Sequence, residues 1–392
     1  MFIPFIGCTI AYFKWKKSFV WWELLIPTFA CFITILIMKF SVETSLVSDT
    51  QYKGGMIVEA RYYEYWSTWI HKTCTKEYAC GTYTTGSGKN KTTHTKYCTK
   101  TYDCSYCDDH SPYWMVYDDQ GNSWSISESK YKSLIKQWSA TEEFVDQNRS
   151  INYHFGCGKD GDMYKIKWDG NILSSEPSTV EASYTNKVQA AKSNFDLRKI
   201  SSEEAEKLKL FNYPTIDKYS QNTILGLDSM RFLDIPHKNG AKIMFNYFNG
   251  YYGPKRKIRL FVLLSSDKNI DWAIKQKYYW DGGNKNEVVI CIDVDRNNGK
   301  INWVYPFSWS KNKRIEVDLR EDISNLGTLQ FTPLYKIIDQ STEDFAYRDF
   351  KEFNYLEVDP PLWEMVVLFI LTLGLTIGLL WYGYKNEFIN ND

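Results

Sequence analysis

The stretch MVVLFILTLGLTIGLLWYGY, Met365 to Tyr384, decides how this chain is organised. It is twenty residues without a formal charge, and at a helical rise of ~1.5 Å per residue it reaches ~30 Å, the thickness of a bilayer's hydrocarbon core. It reads as a transmembrane helix followed by a tail, residues 385–392. Working outward, FVWWELLIPTFACFITILIM (Phe19 to Met38) is long enough to cross as well. That span requires Glu23 at headgroup level, where Trp21 and Trp22 also fit, and Pro27 predicts a kink near its outer turn. Two spans flanking one large tethered region is the architecture these stretches predict.

Residues 1–18 are apolar at first but too short to span, and no basic residues precede them as in a signal peptide. They read as an interfacial segment or one packed on the span. Phe5-Ile6-Gly7-Cys8 resembles a lipoprotein cleavage box, but the hydrophobic run before it is too short, so lipidation is not predicted. Lys14, Lys16 and Lys17 form a basic collar that argues for a cytoplasmic amino terminus and a central domain outside the cytoplasm. The wider count is a tie, with Lys39, Lys53, Arg348 and Lys351 outside against the three collar lysines and Lys385 inside. The clustering of the collar decides for an integral inner-membrane protein with its domain outside.

The 47 basic and 47 acidic residues cancel, leaving no bulk field to attract nucleic acid, which is not expected as a partner. Aromatic residues make 17% of the chain, and the central region alternates Tyr-, Trp-, Val- and Ile-rich runs with Gly, Asn and Asp turns. This composition predicts an α+β fold with a large core.

The most informative local pattern is a set of cysteines. Cys74 and Cys104, and likewise Cys80 and Cys98, are centred on position 89, inside the turn-forming Gly86-Ser87-Gly88-Lys89-Asn90. A long β-hairpin would bring each pair together, and a step of six keeps Cys74 and Cys80 on one strand face. Two cross-strand disulfides follow. The competing reading is a zinc site, since His71, Cys74, Cys104 and Cys107 make an HxxC and a CxxC about the same centre, with His110 as a possible substitute. Residues three apart in a strand point to opposite faces, which disfavours zinc. An outside domain is oxidising and favours disulfides; a cytoplasmic one would favour the metal. No other cofactor is expected. Cys157, between Gly156 and Gly158, is a further candidate partner for Cys107.

The rest of the chain divides into a β-rich part, residues 45–200, and an α/β part, residues 201–358. In the first, Met56–Ile70 reads as a strand, Tyr113–Ser127 as strand, turn and strand, and 162–171 as strand and turn. Ser125 and Glu128 form a capping box for a helix with Tyr131, Leu134, Ile135 and Trp138 on one face. In the second, Ser201 and Glu204 cap a helix over 202–210, and Ala241–Gly250 reads as a helix with a glycine stop. Lys257–Leu264 reads as a buried strand, and Ile270–Trp280 as a helix with Ile270, Ile274 and Tyr278 on one face. Glu287–Val294 and Ile301–Trp309 are strands, and Ser341–Leu356 is a capped helix leading to the membrane. A β-α-β-β order with one continuous apolar strand implies a sheet covered by helices.

Catalytic signals are sparse. Asp293-Val-Asp295-Arg-Asn297-Asn298-Gly299 invites a calcium-loop reading but lacks Gly at the sixth position and Glu at the twelfth, so a polar turn is preferred. Trp280-Asp281-Gly282-Gly283-Asn284-Lys285-Asn286 could line a cleft, against the plainer reading of a helix stop and loop. There is no GxSxG, Walker loop or HExxH, and the chain has five His. Across residues 255–310, from Asp271-Trp272 through Trp280-Asp281-Gly282-Gly283 to Glu287-Val-Val-Ile290, the chain resembles the TPM domain, an α/β fold often tethered by a carboxyl-terminal span. That resemblance implies a metal-dependent phosphohydrolase; no catalytic residue is carried over from the family, and Asp281, Asp293 and Asp295 are the candidate carboxylates in this part of the chain. The chain as a whole also looks like uncharacterised membrane proteins of gut Bacteroidetes and their phages. Finally, Gly374-Leu-Thr-Ile-Gly378 is a GxxxG that could join two copies in the bilayer. The leading expectation is a membrane-anchored binding or scaffolding protein with an unidentified protein partner; the alternative is the TPM-like enzyme.

Overall fold

The computed structural model describes residues 6–7, 9–10, 13, 25–147, 157, 160–191, 200–218, 222–358 and 361–386. The lysine collar, Trp21, Trp22, Glu23, Cys8 and the end of the tail lie outside these residues. Ile6, Gly7, Thr9, Ile10 and Phe13 are helical. A Cβ placed on Gly7 would fall 2.9 Å from Thr376 Cγ2, so this segment touches the last helix.

Helix α1, Leu25–Val47, continues nine residues past the expected end at Met38. The polar run after Met38 keeps a helical register, with Thr44 Oγ1 bonded to the Phe40 carbonyl at 2.7 Å. Among the described residues, two helices are long and apolar enough to cross a membrane, α1 and the helix at Leu362–Asn386.

Strand β1, Ser48–Tyr63, is sixteen residues long and organises the first sheet. It is followed by β2 (Trp66–Ile70), β3 (Thr73–Thr85), β4 (Thr92–Asp103), β5 (Tyr106–His110), β6 (Tyr113–Asp118) and β7 (Ser123–Ile126). These strands form one antiparallel ribbon: β1 pairs with β6, β2 with β5 and β3 with β4. Facing residues keep a single register from Glu59 and Tyr117 at the root to Ala79 and Tyr97 near the tip.

Helix α2 spans Glu128–Gln137, and its cap is Ser127, whose side chain accepts from Lys130 N, in place of the expected Ser125. Ser125 stays in β7 opposite Met115 because Trp124 and Ile126 pack on the sheet. Strands β8 (Glu143–Val145), β9 (Met163–Lys167) and β10 (Pro177–Thr185) complete a six-stranded sheet. Ile57, Ala60, Val116 and Ile166 meet Tyr131, Leu134 and Trp138 of α2 in its core.

The second sheet follows helix α3, Ser202–Leu208, capped by Ser201 accepting from Glu204 N as the sequence predicts. Strands β11 (Ile224–Leu225), β12 (Arg259–Ser265) and β13 (Glu287–Val294) are parallel, and β14 (Ile301–Ser308) is antiparallel to β13. Alternation sends Leu260, Val262, Ile290 and Ile292 to one face, against helices α4 (Ile235–Tyr247), α6 (Arg314–Asn325) and α7 (Phe331–Ser341). Phe261, Leu263, Val289 and Cys291 go to the other, against α3 and α5 (Ile270–Tyr279). The last helix, α8, is Leu362–Asn386.

Several expectations are corrected here. Helix α4 starts six residues before Ala241, where Asp234 caps it with Pro236 in the first turn. Gly250 does not stop it; a π turn over Phe248–Tyr252 carries the chain on. Gly250 instead permits close approach, since a Cβ there would lie 2.4 Å from Met56 Sδ, and one on Gly54 would lie 1.9 Å from the Asn249 carbonyl. The two halves of the chain meet backbone to backbone at this seam. In α5 the buried face is Trp272, Ala273 and Gln276, with Ile270 44% exposed, rather than Ile270, Ile274 and Tyr278. Gln276 turns inward because its amide brackets Phe211, accepting from its N–H at 2.8 Å and donating to its carbonyl at 3.0 Å. Ser341–Leu356 is not one helix: α7 ends at Ser341 and only a short 3-10 turn, Phe350–Phe353, follows.

Candidate functional site

The distal half of the ribbon, β3 and β4, is an arm. Twelve residues at ~3.4 Å each carry it ~40 Å from its root. Every position of the two strands is exposed apart from Cys74 and Cys98, which are partly covered. Residues 72–103 contain no Leu, Ile, Val, Met, Phe or Trp, so the arm has nothing with which to build a core. A two-stranded ribbon without a packed face is marginal in water.

Disulfides supply what packing does not. Cys74 joins Cys104 with Cα atoms 5.8 Å apart, and Cys80 joins Cys98 at 5.6 Å. The pairing follows the symmetric spacing, but the register differs by two residues from the one that spacing implies. Cys74 faces Tyr102 and Cys98 faces Tyr78, while Cys80 is the extra residue of a bulge between Ala79 and Gly81. The bulge lets a diagonal pair close. At the root Cys107 joins Cys157. The residues of the zinc alternative are not gathered as a ligand set here: Cys74 and Cys104 pair with each other and Cys107 with Cys157, so none is paired with His71. His110 instead stacks on Trp66 at 4.6 Å.

The arm's two faces differ chemically. Alternation places Lys76, Lys96, Lys100, Tyr78, Tyr83 and Tyr102 on the disulfide-bearing face. The other face carries threonines, including Thr75, Thr82, Thr95 and Thr99, with Tyr97. Residues 72–103 hold six Lys and two acidic residues, so a neutral chain carries a cationic projection.

The carboxylates proposed for chemistry are placed apart from the arm and serve local geometry. Asp281 has φ 50° in the turn that ends α5, whose N–H groups return to the helix: Gly282 donates to Lys277 O at 2.8 Å and Gly283 to Trp280 O at 2.8 Å. Asp293, 1% exposed, accepts from Ser265 Oγ at 2.8 Å, Lys268 N at 3.1 Å and Asn302 Nδ2 at 2.8 Å. Asp295 accepts from Asn297 N at 2.8 Å, making the polar turn the sequence suggests. Among the described residues, the carboxylates close enough to share an ion are a different set, Asp146, Asp160 and Asp162.

A buried ionisable group that sequence reasoning passed over is Glu287, 1% exposed at the start of β13. It accepts from the Tyr213 hydroxyl and, at 2.8 Å each, from Asn284 N and Nδ2. Burial raises its pKa, and those hydrogen bonds offset part of the rise. Burial also lowers that of the adjacent Arg259, with Tyr213 and Glu287 opposing the drop. This carboxylate closes the Asp281–Asn286 loop from below. Its signal in the sequence is one acid opening the apolar run 288–292. Beside it, a cavity of about 510 Å³ opens at the seam, with mixed lining that includes Gln51, Lys53, Asn286 and Tyr347 together with Val180 and Ile258.

Near the chain ends, α1 and α8 pack on each other. Cys31 Sγ lies 3.4 Å from Thr376 Oγ1 and 3.6 Å from the Thr372 carbonyl. Gly374 and Gly378 are exposed on another side of α8, with nothing within 4 Å of a Cβ placed on either.

No protein-family model, curated protein or solved structure matches the chain.

Proposed function

We propose that this is a membrane-tethered binding protein that presents a stapled β-arm from an extracytoplasmic domain. The observation that carries the reading is the arm itself. Some thirty residues and two disulfides go into an element that adds nothing to the hydrophobic core. An exposed ribbon held in one shape and in register with the sheet at its root suits contact with something outside the chain.

Placement in the bilayer fits the same picture. Cys31 lies sixteen residues before the end of α1 at Val47, and Thr376 lies fourteen after the start of α8 at Leu362. At ~1.5 Å per residue these contacts sit at similar depth, ~24 and ~21 Å from the domain, as an antiparallel pair requires. Three disulfides favour an oxidising compartment, consistent with the side chosen by the lysine collar. Gly374 and Gly378 remain open for a second copy, which we include as a proposed homodimer contact. The phosphohydrolase alternative has weaker support, because Asp281 sits in the turn after α5, Asp293 is buried near the end of β13 among its own hydrogen-bond donors, and Asp295 holds the turn that follows.

The experiment is photo-crosslinking in intact cells with a benzophenone side chain at Tyr83 near the arm's tip, and at Phe144 on β8 as a control. Adducts from position 83 and not from 144 are expected. Absence of adducts at the arm would remove this reading.

A further inference from the structure

Resting on the arm as the contact element, we infer that its lysine–tyrosine face binds an anionic polysaccharide of the polyuronate kind. Lys76 faces Lys100 directly across the strands, and Lys96 is four residues along β4 on the same side. Among the described residues none of the arm's six lysines is in an ion pair. Like charges placed opposite each other on a ribbon are unfavourable, and here the staples hold the strands together despite them. A polymer carrying a carboxylate on each ring relieves that repulsion along the whole face.

The remaining groups on this face choose among anionic partners. Tyr78, Tyr83 and Tyr102 are each about half exposed, at 49%, 52% and 49%, and offer flat rings with a hydroxyl at the rim. Sugar rings present C–H faces to stack on such rings and hydroxyls to bond at the rim. A bilayer surface would call for an apolar wedge, and a protein partner for a dry core of large side chains; beyond its tyrosines the arm supplies none, since residues 72–103 contain no Trp, Phe, Met, Leu, Ile or Val. The arm also has no Arg, the side chain on which base and phosphate recognition most depends. The threonine face, with only Glu77 and Asp103 as charges, has no comparable attraction.

The test uses the full chain in neutral-lipid nanodiscs with four probes: an oligogalacturonate, dextran, a single-stranded oligonucleotide and phosphatidylglycerol vesicles. Binding to the oligogalacturonate, weakening with salt and absent for dextran, is expected. It should weaken by about tenfold in the variant combining Lys76→Gln, Lys96→Gln and Lys100→Gln, and comparably with Tyr78→Ser, Tyr83→Ser and Tyr102→Ser. The combination Thr82→Ala, Thr95→Ala and Thr99→Ala should bind as the natural chain does. All three should keep its thermal midpoint, since the arm lies outside the core. No oligogalacturonate binding, unchanged binding by the glutamine variant, or tighter binding to the oligonucleotide or vesicles would overturn the inference. Any of these alongside adducts from position 83 in cells would leave the contact reading standing; absence of those adducts would remove both.

Discussion

Lys76 and Lys100 face each other across the arm, and neither is in an ion pair among the described residues, since the neighbouring Glu77 belongs to the opposite face. The ribbon's stability is therefore limited by its own charge pattern, and a single reversal should improve it. Lys76→Glu creates an opposite-charge cross-strand pair and is expected to stabilise the arm by ~0.2–1 kcal/mol, read as slower amide hydrogen exchange over 73–103. The same change should weaken ligand binding. Faster exchange would mean that the two side chains do not share a face.

The staples act on the arm alone. In the chain-entropy account, closing loops with separations of 18 and 30 residues constrains the open arm by ~3–4 kcal/mol each. Cys80→Ser with Cys98→Ser should therefore abolish exchange protection near the tip while leaving the global denaturation midpoint within ~0.5 kcal/mol of the natural value. A large fall in global stability would show that the arm packs on the domain after all.

Glu287 gives a pH signature with a definite sign. Its folded pKa is raised by burial, so its contribution is fully present below the ordinary carboxylate range and is lost as pH rises through the folded value. Glu287→Gln cannot ionise and also loses one acceptor. The natural chain should exceed it in stability at low pH by a margin that narrows as pH climbs, in denaturant titrations of the soluble domain's signal. Glu287→Ala should cost ~2–4 kcal/mol, because Asn284 and Tyr213 lose their acceptor. A margin that widens with pH would mean the carboxylate is held ionised.

Gly374 and Gly378 lie away from the Cys31–Thr376 contact. Replacing both with Ile should leave the α1–α8 pair intact and make the detergent-solubilised protein monomeric by sedimentation. A dimer that persists would place the contact elsewhere.

What could be read in advance follows from range. The symmetry of Cys74, Cys80, Cys98 and Cys104 about Lys89 is local information, and the two pairings followed from it; the bulge at Cys80 that shifts the register is not visible in residue spacing. Arg259–Ser265 and Glu287–Val294 announce buried strands by continuous apolar runs. Strand β10, PSTVEASYT, shows no such run, because its place beside β1 is set by a partner more than a hundred residues away. Helices α6 and α7 escaped notice because charges interrupt their apolar stripes, with Ile315, Leu319 and Ile323 buried among acids and bases. At the site, overall neutrality concealed the arm's local charge: an average over 392 residues says little about 32 of them. The candidate carboxylates Asp281, Asp293 and Asp295 stand out in the sequence by lying within the TPM-like stretch, whereas the buried acid beside the loop, Glu287, is distinguished by its three-dimensional surroundings.

The most direct measurement is thiol labelling of intact cells with a membrane-impermeant maleimide, before and after reduction, read out on the peptides spanning Cys74 to Cys107. The two described cysteines outside disulfides, Cys31 and Cys291, are buried and should stay silent. Labelling of Cys74, Cys80, Cys98, Cys104 and Cys107 that appears only after reduction is the expected result, with the arm stapled and outside the cytoplasm. Protection of these cysteines until the cells are lysed, followed by labelling without reductant, would contradict both the staples and the side of the membrane.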